Sequence, residues 1–500
     1  MTTRISLTIT EEPGSEPTIQ LTVMVLPPLT PLWRDFQYFG HQDDGVRWML
    51  EKERVGTEVP DHKGNLVTVH GGFQCDDMGL GKTIQIAAVM VHHVVPHTLL
   101  LAPLAMLETW SEVCQHAGMK VYEVGKEGWV RVNPKSGVPM HLLRSRPSVY
   151  ISNYEKLHHR SSLFQQNWDR VVLDEAHKIR NGGGLISIHA RKLVAPIRWA
   201  VTGTPLVNSK KDVVSLLAFL GVPFSRTWRW EPRYDRMLPE LILHRSLQKL
   251  RSVIEGAPPI PIMETKVLPF QTAEEEDFYR GVQGKAAALL ERYSMDVLSN
   301  TQKFLLLLRL RQISVHPQVY INAKRRENPV YGRADWEGKS TKMEAIREII
   351  QGDTGSHNYL IFCQFNDEMA LLHDFLVLEG LADEVLMYHG GMNQRERAEV
   401  LQKSKVSTKR TVLLLQLQAG GVGLNLQEYD RILFVSPWWT SALMDQAIAR
   451  AVRMGQKKVV KVYHLRLSAE HESTINIDTL INDKADTKRV MLERLFSLCQ

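Results

Sequence analysis

The sequence contains little cysteine, with four cysteines among 500 residues. Cys75, Cys114, Cys363 and Cys499 lie far apart, and no Cys-x-x-Cys pair occurs. A structural zinc module and a disulfide framework both need paired or regularly spaced cysteines. The sequence therefore predicts no zinc site and no disulfide scaffold.

The chain also lacks the long unbroken apolar run that a membrane span requires. One apolar stretch, residues 87–107, is interrupted by His92, His93, Pro96, His97 and Pro103. Because a membrane helix needs about 20 consecutive apolar residues, a helix followed by a buried strand explains this stretch better. The N-terminus has no secretory signal pattern, so we expect an intracellular protein with no membrane partner.

Charge of one sign is not in large excess. The formal net charge is +6, the charged fraction is 23% and the hydrophobic fraction is 44%, which are ordinary values for a soluble fold. A mild positive excess permits nucleic-acid binding without requiring it. A chain of 500 residues exceeds a single core, so the length predicts two or three domains.

Residues 75–83 have the pattern of a loop that binds a polyphosphate. Glycines allow a tight turn that points successive N–H groups at the phosphates, Lys82 supplies positive charge to the β- and γ-phosphates, and the Thr83 hydroxyl can ligate Mg²⁺. The residues expected to bind nucleotide here are Asp77, Met78, Gly79, Leu80, Gly81, Lys82 and Thr83. Asp76 occupies a position where the general pattern has glycine. A Gly-Lys-Thr sequence can also occur in an unrelated turn. That alternative becomes less favoured if the sequence also contains the carboxylates of a nucleotide site.

Residues 170–177 supply those carboxylates. An apolar run ends at Asp174 and Glu175, as a buried parallel strand does when its carboxylates emerge at the edge where ligands bind. We expect Asp174 to hold Mg²⁺ and Glu175 to act on the attacking water as general base. The alternative is a solvated Asp-Glu pair after an ordinary core strand.

Strand-like and helix-like segments alternate twice along the chain, which predicts two α/β domains with parallel sheets. Residues 33–53 look helical. We place an N-terminal arm at 1–31, an ATP-binding lobe at 32–257 with a helical insertion near 206–250, and a second lobe at 258–500 with a helical insertion near 270–320. The proline-rich residues 258–261 are the candidate linker between the lobes.

The second lobe has no phosphate loop of its own, but residues 446–456 can complete a nucleotide site across a cleft. On a helix, Gln446, Arg450 and Arg453 share a face, and two guanidiniums aimed at one point suit a γ-phosphate. A glycine-rich turn that includes Gly420 and Gly423 precedes them and follows a buried strand. The alternative is a solvated basic helix face.

Together these segments resemble the Swi/Snf family of superfamily-two helicase-like ATPases, from about residue 32 to 474. Blocks in the family's order are residues 39–50, 76–83, 101–110, 152–157, 174–181, 202–208, 361–365, 420–426 and 446–456. Residues 39–53, 198–205 and 310–317 further resemble the post-replication-repair and transcription-termination branch of this family. Many members of that branch carry an inserted RING finger, which the cysteine count excludes here. Departures from the family pattern occur at residues 416–418, Ala449 and Val452.

The resemblance implies two tandem RecA-like lobes with parallel sheets and helical insertions, and ATP with Mg²⁺ as cofactors. It also implies that Gln42 contacts adenine, that Thr83 and Asp174 hold Mg²⁺, and that Lys82, Asp174, Glu175, Arg450 and Arg453 perform the chemistry. Gly423 and Gln446 join the ATP-binding set. DNA contacts are expected near Pro103, Tyr154, Thr204 and Gly420.

The implied function is ATP-dependent translocation on double-stranded DNA by a monomeric motor. Nucleosomes, stalled forks or RNA polymerase could each be the object that it remodels, and the workplace would be the nucleus or a viral replication site. Two other functions stay open. One is a strand-separating helicase acting on DNA or RNA, and the other is a catalytically inactive DNA-binding scaffold.

Overall fold

The computed structural model describes residues 3–10, 18–25, 28–61, 63–133, 147–206, 208–224, 229–292, 300–417, 424–468 and 476–497. Its internal contacts divide the chain into two compact units. The first unit comprises Met1–Ile254 together with Leu492–Gln500, and the second comprises Glu255–Met491.

The first unit alternates strands and helices. Its strands are β1 (Thr3–Thr10), β2 (Thr18–Val25), β3 (Thr57–Pro60), β4 (Leu66–Gln74), β5 (His97–Leu101), β6 (Lys120–Val124), β7 (Trp129–Arg131), β8 (Ser148–Ser152), β9 (Arg170–Asp174), β10 (Ile197–Val201) and β11 (Ile242–Leu243). Its helices are α1 (Gly40–Arg54), α2 (Lys82–His92), α3 (Leu107–His116), α4 (Tyr154–His159), α5 (Leu185–Lys192), α6 (Lys210–Leu220), α7 (Pro232–Leu241) and α8 (Leu247–Leu250).

A nine-stranded sheet organises the described part of this unit, in the order β11-β4-β10-β9-β5-β8-β6-β7, with β3 paired to β4. Neighbours are parallel except in the pairs β3–β4 and β6–β7. The central strands are apolar on both faces, as strands covered by helices on each side must be. In β5, Leu99 and Leu101 pack into one core layer and Leu100 into the other. Strands β1 and β2 form a separate antiparallel hairpin.

The second unit repeats the same architecture. Its strands are β12 (Ile262–Leu268), β13 (Tyr359–Cys363), β14 (Glu384–Tyr388), β15 (Thr411–Gln416), β16 (Arg431–Phe434) and β17 (Lys461–Leu467). Its helices are α9 (Ala273–Arg292), α10 (Asn300–Val315), α11 (Pro317–Glu327), α12 (Thr341–Gly352), α13 (Asn366–Leu378), α14 (Gln394–Val406), α15 (Ser441–Ile448) and α16 (Ile477–Ser497), the last of which ends among the residues grouped with the first unit. The strand order is β12-β17-β16-β13-β15-β14, and neighbouring strands in this described sheet pair in parallel.

The predicted fold class is confirmed, because both large sheets are built mainly from parallel strands with helices between them. The helix predicted over residues 33–53 was placed too early, since α1 begins at Gly40. Residues 33–38 instead form an aromatic group in which Phe36 contacts Trp33 and Tyr38. Across the described ranges, every helix is too short or too polar to span a bilayer.

Candidate active site

The phosphate loop connects the end of β4 to the start of α2. Gly81 precedes the first helical residue with a φ of 79°, and Gly79 has a φ of 88°, so both lie in the left-handed region that favours glycine. A Cβ added at Gly79 would have no heavy atom within 4 Å, so the backbone there faces open space. The loop therefore presents exposed backbone beside a helix N-terminus, which is the arrangement that binds a polyphosphate.

Lys82 is the first residue of α2 and closes over the loop. Its Nζ donates to the Asp76 carbonyl at 2.7 Å and to the Asp77 carbonyl at 3.3 Å. Thr83 follows in the first helical turn and is partly exposed. The ammonium group thus rests on carbonyl oxygens of the same loop.

Asp174 ends β9 and is buried. The Trp110 Nε1 donates to its carboxylate at 2.7 Å, the Tyr154 hydroxyl donates to its carbonyl at 2.6 Å, and the backbone N–H of Glu175 donates to its carboxylate at 3.0 Å. Burial, together with the neighbouring charge of Glu175, raises the pKa of Asp174 to about 6, although Trp110 and Lys82 act in the opposite direction. A buried carboxylate with a raised pKa beside a second carboxylate suits a site that receives a cation.

Glu175 is held in a strained backbone conformation with a φ of 50°. Its Oε2 lies 3.2 Å from the Nδ1 of His177, and the same ring nitrogen lies 3.4 Å from the hydroxyl of Thr202. The Thr202 hydroxyl in turn accepts from the Thr204 backbone N–H at 3.2 Å. Strain at a non-glycine residue often marks a functional position, and here a chain of contacts joins the ends of β9 and β10 through it.

Gln42 lies on α1 and packs against the phosphate loop. Its Oε1 accepts from the Phe39 backbone N–H at 3.2 Å, and its Nε2 donates to the Leu80 carbonyl at 3.4 Å. A Cβ added at Gly81 would lie 2.4 Å from that Nε2. The neighbouring His41 also bonds the Leu80 carbonyl, at 3.0 Å, and burial lowers the pKa of His41. The structure thus brings Gln42 beside Leu80, Gly81 and Lys82.

The donor set fits ATP with Mg²⁺. The Thr83 hydroxyl and the Asp174 carboxylate, which are the predicted metal ligands, are oxygen groups of the kind that Mg²⁺ prefers. Within the described ranges, no three His, Cys, Asp or Glu side chains form a metal centre. Few protein ligands are needed, because Mg²⁺ usually takes one or two from the protein and the rest from water and substrate phosphates.

In the second unit, the prediction of a helix over residues 446–456 is wrong after Ile448. Helix α15 ends at Ile448, and the residues that follow form consecutive turns. The Gln456 side chain donates to the Gln427 carbonyl at 2.8 Å and to the Ala451 carbonyl at 3.3 Å, which replaces helical hydrogen bonding.

The three candidate residues of this segment consequently have different settings. Gln446 is buried in α15, whereas Arg450 and Arg453 lie in the turns and are partly exposed. Burial lowers the pKa of Arg453. Their shared helix face is not observed, and their role at a γ-phosphate stays a prediction. Gly420 and Gly423 lie outside the described residues.

Comparison with protein families and curated proteins assigns this architecture. Residues 41–319 match the SNF2-related domain, and residues 341–455 match the helicase conserved C-terminal domain. The chain belongs to the SNF2-related family. The resemblance inferred from the motifs is thereby confirmed, and the family consists of helicase-like ATPases.

Several SNF2-related proteins are similar over most of this chain. "Probable global transactivator" of Orgyia pseudotsugata multicapsid polyhedrosis virus is 27% identical, with 91% of each chain covered. "Chromodomain-helicase-DNA-binding protein 1-like" of Danio rerio is 28% identical over 92% of this chain and 44% of its own length. The Sulfolobus solfataricus SWI2/SNF2 ATPase core in complex with dsDNA covers 93% of this chain at 19% identity, with a TM-score of 0.38. The chain spans nine tenths of the viral relative but less than half of the Danio rerio protein.

A polar network surrounds the Asp76 carboxylate in the phosphate loop, and the sequence did not predict it. Arg245 donates to the Asp76 carboxylate through Nε at 3.0 Å and Nη2 at 2.5 Å, and it also bonds the His41 carbonyl. Gln74 and Gln85 each donate to the Asp76 carboxylate at 3.0 Å. The network fixes Asp76, the residue that departs from the general loop pattern, so that departure itself was the available signal.

The residues expected near DNA are buried where the structure describes them. Pro103 follows β5 and begins a short 3-10 turn, while Thr204 follows β10, and both are buried. Tyr154 is also buried, with its hydroxyl donating to the Asp174 carbonyl, and Glu155 is the exposed residue of its block at residues 152–157. DNA contact by these blocks therefore stays a prediction. The Tyr154 hydroxyl already donates a hydrogen bond to the Asp174 carbonyl.

Proposed function

We propose that this chain is an ATP-driven translocase on double-stranded DNA. The observation that supports it most strongly is the placement of Asp174 and Glu175 beside the phosphate loop. The positive charge of Lys82 is close enough to Asp174 to lower its pKa against the effect of burial. A lysine, a hydroxyl and two strand-end carboxylates are the groups that phosphoryl transfer needs.

In this proposal each residue of the first unit has one task. Lys82 and the loop N–H groups bind the triphosphate, and Thr83 with Asp174 holds Mg²⁺, which when bound neutralises charge on the phosphates. The Glu175 carboxylate orients the attacking water and accepts its proton. His177, 3.2 Å from Glu175, positions that carboxylate and connects it to Thr202. Gln42 contacts adenine from α1.

The second unit contributes Arg450 and Arg453 as charge stabilisers for the γ-phosphate in the same proposal. Arginine fingers in other phosphoryl-transfer enzymes are worth about 10³–10⁵ in rate. The turns that follow α15 suit this task, because a guanidinium on a turn can change position more readily than one on a packed helix. Replacing either arginine with alanine should lower ATP turnover with little change in ATP binding.

The proposed polymer is duplex DNA, and the proposed object of the motor is a protein bound to it. Relatives include a chromodomain-helicase-DNA-binding protein and an ATPase of a chromatin-remodeling complex in Saccharomyces cerevisiae. These names favour nucleosomes as the object, and stalled forks and RNA polymerase stay candidates from the family resemblance. The workplace would be a nucleus or, given the viral relative, a viral replication site.

Two assays on the full chain test the proposal. The first compares ATP turnover with duplex DNA, single-stranded DNA and RNA, and we expect duplex DNA to stimulate most. The second measures displacement of a triplex-forming strand from a duplex, which a translocase removes without separating the duplex. Stimulation by RNA or single strands, with duplex unwinding, would instead identify a helicase.

Two variants and two controls separate catalysis from general damage. Lys82→Ala and Glu175→Gln should each abolish turnover, while the exposed substitutions Lys63→Ala and Glu58→Gln should leave it unchanged. Wild-type turnover in Lys82→Ala or Glu175→Gln would defeat the assignment. Duplex binding without turnover in the wild-type chain would point to the scaffold alternative.

A further inference from the structure

A cavity of about 590 Å³ lies in the second unit, and its lining includes none of the residues assigned to ATP. It is bounded by α9, by α11 and by the loop at residues 328–340 that follows α11. Its size falls within the range of small-ligand and side-chain binding pockets, about 300–1,000 Å³. Its aromatic lining consists of Phe278, Tyr320, Tyr331 and Trp336.

The loop that forms one wall is firmly attached to α11. Gln318 accepts from the Trp336 backbone N–H at 2.6 Å and donates to Asp335 at 2.8 Å. Arg325 pairs with the Asp335 carboxylate at 2.5 Å and donates to the Arg333 carbonyl at 2.6 Å. These bonds fix the backbone on both sides of the pocket residues, so the wall is built in advance of any ligand.

The aromatic rings form a cage around Phe278. Tyr320 meets Phe278 nearly perpendicularly at 5.6 Å between ring centroids, and Trp336 lies roughly parallel to it at 6.0 Å. The guanidinium carbon of Arg333 lies 3.6 Å from the Phe278 ring centroid. Since a cation over an aromatic face is attracted by the ring quadrupole, this cage already accommodates one guanidinium from its own chain.

That internal guanidinium is weakly held. Among the described residues, the Arg333 side chain makes no hydrogen bond and no ion pair, and its residue is exposed. A cation–π contact at an exposed position is weak, because water competes for the cation. Arg333 can therefore leave the cage at small cost.

The rim of the cavity favours cations over anions. Glu274 and Asp277 lie one turn apart on α9, Glu337 lies on the loop, and none of the three forms an ion pair within the described ranges. Lys285 is the other basic residue of the lining. When Arg333 leaves, three carboxylates face one ammonium, which opposes entry of a phosphate backbone.

We propose that this cavity binds a basic peptide segment of a protein partner by taking up an arginine side chain in place of Arg333. The incoming guanidinium would stack on Phe278 between Tyr320 and Trp336. A second cation on the same segment would meet Glu274 and Asp277. The proposal is independent of the ATPase assignment, because no residue of the cavity belongs to the nucleotide site.

Fluorescence anisotropy with the full chain tests this site. The probe is a labelled glycine-serine peptide that contains two arginines, compared with peptides of equal length in which lysine or glutamate replaces them. We expect the arginine peptide to bind most tightly and the glutamate peptide not to bind. Because the chain has a net charge of +6, general electrostatic attraction cannot account for binding of a basic peptide.

Four variants decide between specific and unspecific binding. Trp336→Ala should weaken binding about tenfold through loss of the stacking wall, and the pair Glu274→Lys with Asp277→Lys should weaken it at least as much. Arg333→Ala should tighten binding several-fold by emptying the cage. Glu348→Lys, an exposed acidic position on α12, is the matched control and should change nothing.

Other outcomes overturn the proposal. Equal affinities in the wild type and Trp336→Ala would remove the cage from the interaction. Weaker binding by Arg333→Ala would show that Arg333 is part of the wall and not a stand-in for the ligand. Binding of a labelled single-stranded oligonucleotide that Trp336→Ala abolishes would assign the cavity to nucleic acid. The far-ultraviolet circular dichroism spectrum of each variant, measured in parallel, reports whether the chain is still folded.

Discussion

At the scale of single residues, the ionisation of Asp174 depends on the side chains that surround it. Trp110 donates a hydrogen bond to the carboxylate at 2.7 Å and so lowers its pKa, against burial and the charge of Glu175, which raise it to about 6. Hydrogen bonds to charged groups are worth about 1.5–3 kcal/mol, and one pKa unit corresponds to about 1.4 kcal/mol. A hydrogen bond of that strength corresponds to about one pKa unit or more.

Trp110→Phe should consequently move the acid limb of ATP turnover to higher pH by about one unit. The direction follows because Asp174 must be ionised to hold a cation, and loss of the donor favours its protonated form. The measurement is kcat/KM for ATP between pH 5 and 9, which reports the ionisation of the free enzyme.

A matched control exists in the same unit. Trp129 lies in an aromatic cluster with Tyr150 and Trp168, and its Nε1 has no hydrogen-bond partner among the described residues. Trp129→Phe should leave the acid limb where it is. If Trp110→Phe leaves the limb unmoved as well, the carboxylate that limits turnover is not Asp174.

At the scale of elements, a buried carboxylate joins α1 to two central strands. Glu53 on α1 accepts from Arg170 on β9 at 2.7 and 2.5 Å and from Trp199 on β10 at 2.8 Å. Burial alone would raise the pKa of Glu53, but the charge of Arg170 and hydrogen bonds from His93, Arg170 and Trp199 lower it overall. This arrangement holds α1, the helix that carries Gln42, against the sheet that carries Asp174.

Glu53→Gln should destabilise the first unit by about 3–5 kcal/mol, because it leaves the Arg170 guanidinium buried without its counter-charge. The free energy of opening of β9 and β10, measured by native-state amide hydrogen exchange, isolates this effect from the second unit. Glu58→Gln, on the exposed side of β3, is the control and should stay within about 0.5 kcal/mol of the wild type.

The same measurement has a pH dependence with a definite sign. Since the folded pKa of Glu53 lies below its ordinary value of 4.5, its contribution is complete above that value and is lost as pH falls towards the folded pKa. The wild type should lose this stability in acid, whereas Glu53→Gln should not. Equal acid sensitivity in both proteins would mean that Glu53 is not the group responsible.

Most elements could be predicted from the sequence, because buried parallel strands are short apolar runs with polar ends. The apolar run that was predicted to be a buried strand ending at Asp174 and Glu175 is β9, which ends at Asp174. The phosphate loop was also predictable, since its glycines are needed for left-handed backbone at Gly79 and Gly81. These features depend on local patterns, which a sequence displays directly.

The parts that could not be predicted depend on distant contacts. Arg245 reaches Asp76 across 169 positions, and nothing near Arg245 in sequence indicates a partner. The end of α15 at Ile448 is likewise set by Gln427 and Gln456, which bond the backbone of the following turns. Local propensity favours continuing that helix, and tertiary hydrogen bonding overrides it.

At the scale of the whole molecule, the proposed translocation requires a grip on the DNA backbone that is independent of sequence. Binding to phosphates releases condensed counterions, so the affinity falls steeply as salt rises, whereas base contacts discriminate between sequences. A net charge of +6 is small for a chain of this length, so the positive charge used must be concentrated in a few places.

We therefore expect the duplex DNA concentration that half-stimulates ATP turnover to rise at least about tenfold between 50 and 200 mM salt. Two duplexes of unrelated sequence and equal length should give the same values throughout. The KM for ATP without DNA is the internal control and should change much less, because the phosphate loop is fixed by buried contacts such as Arg245 with Asp76. A weak salt effect combined with different values for the two duplexes would indicate base readout, and a motor that reads bases at each step could not move along arbitrary DNA.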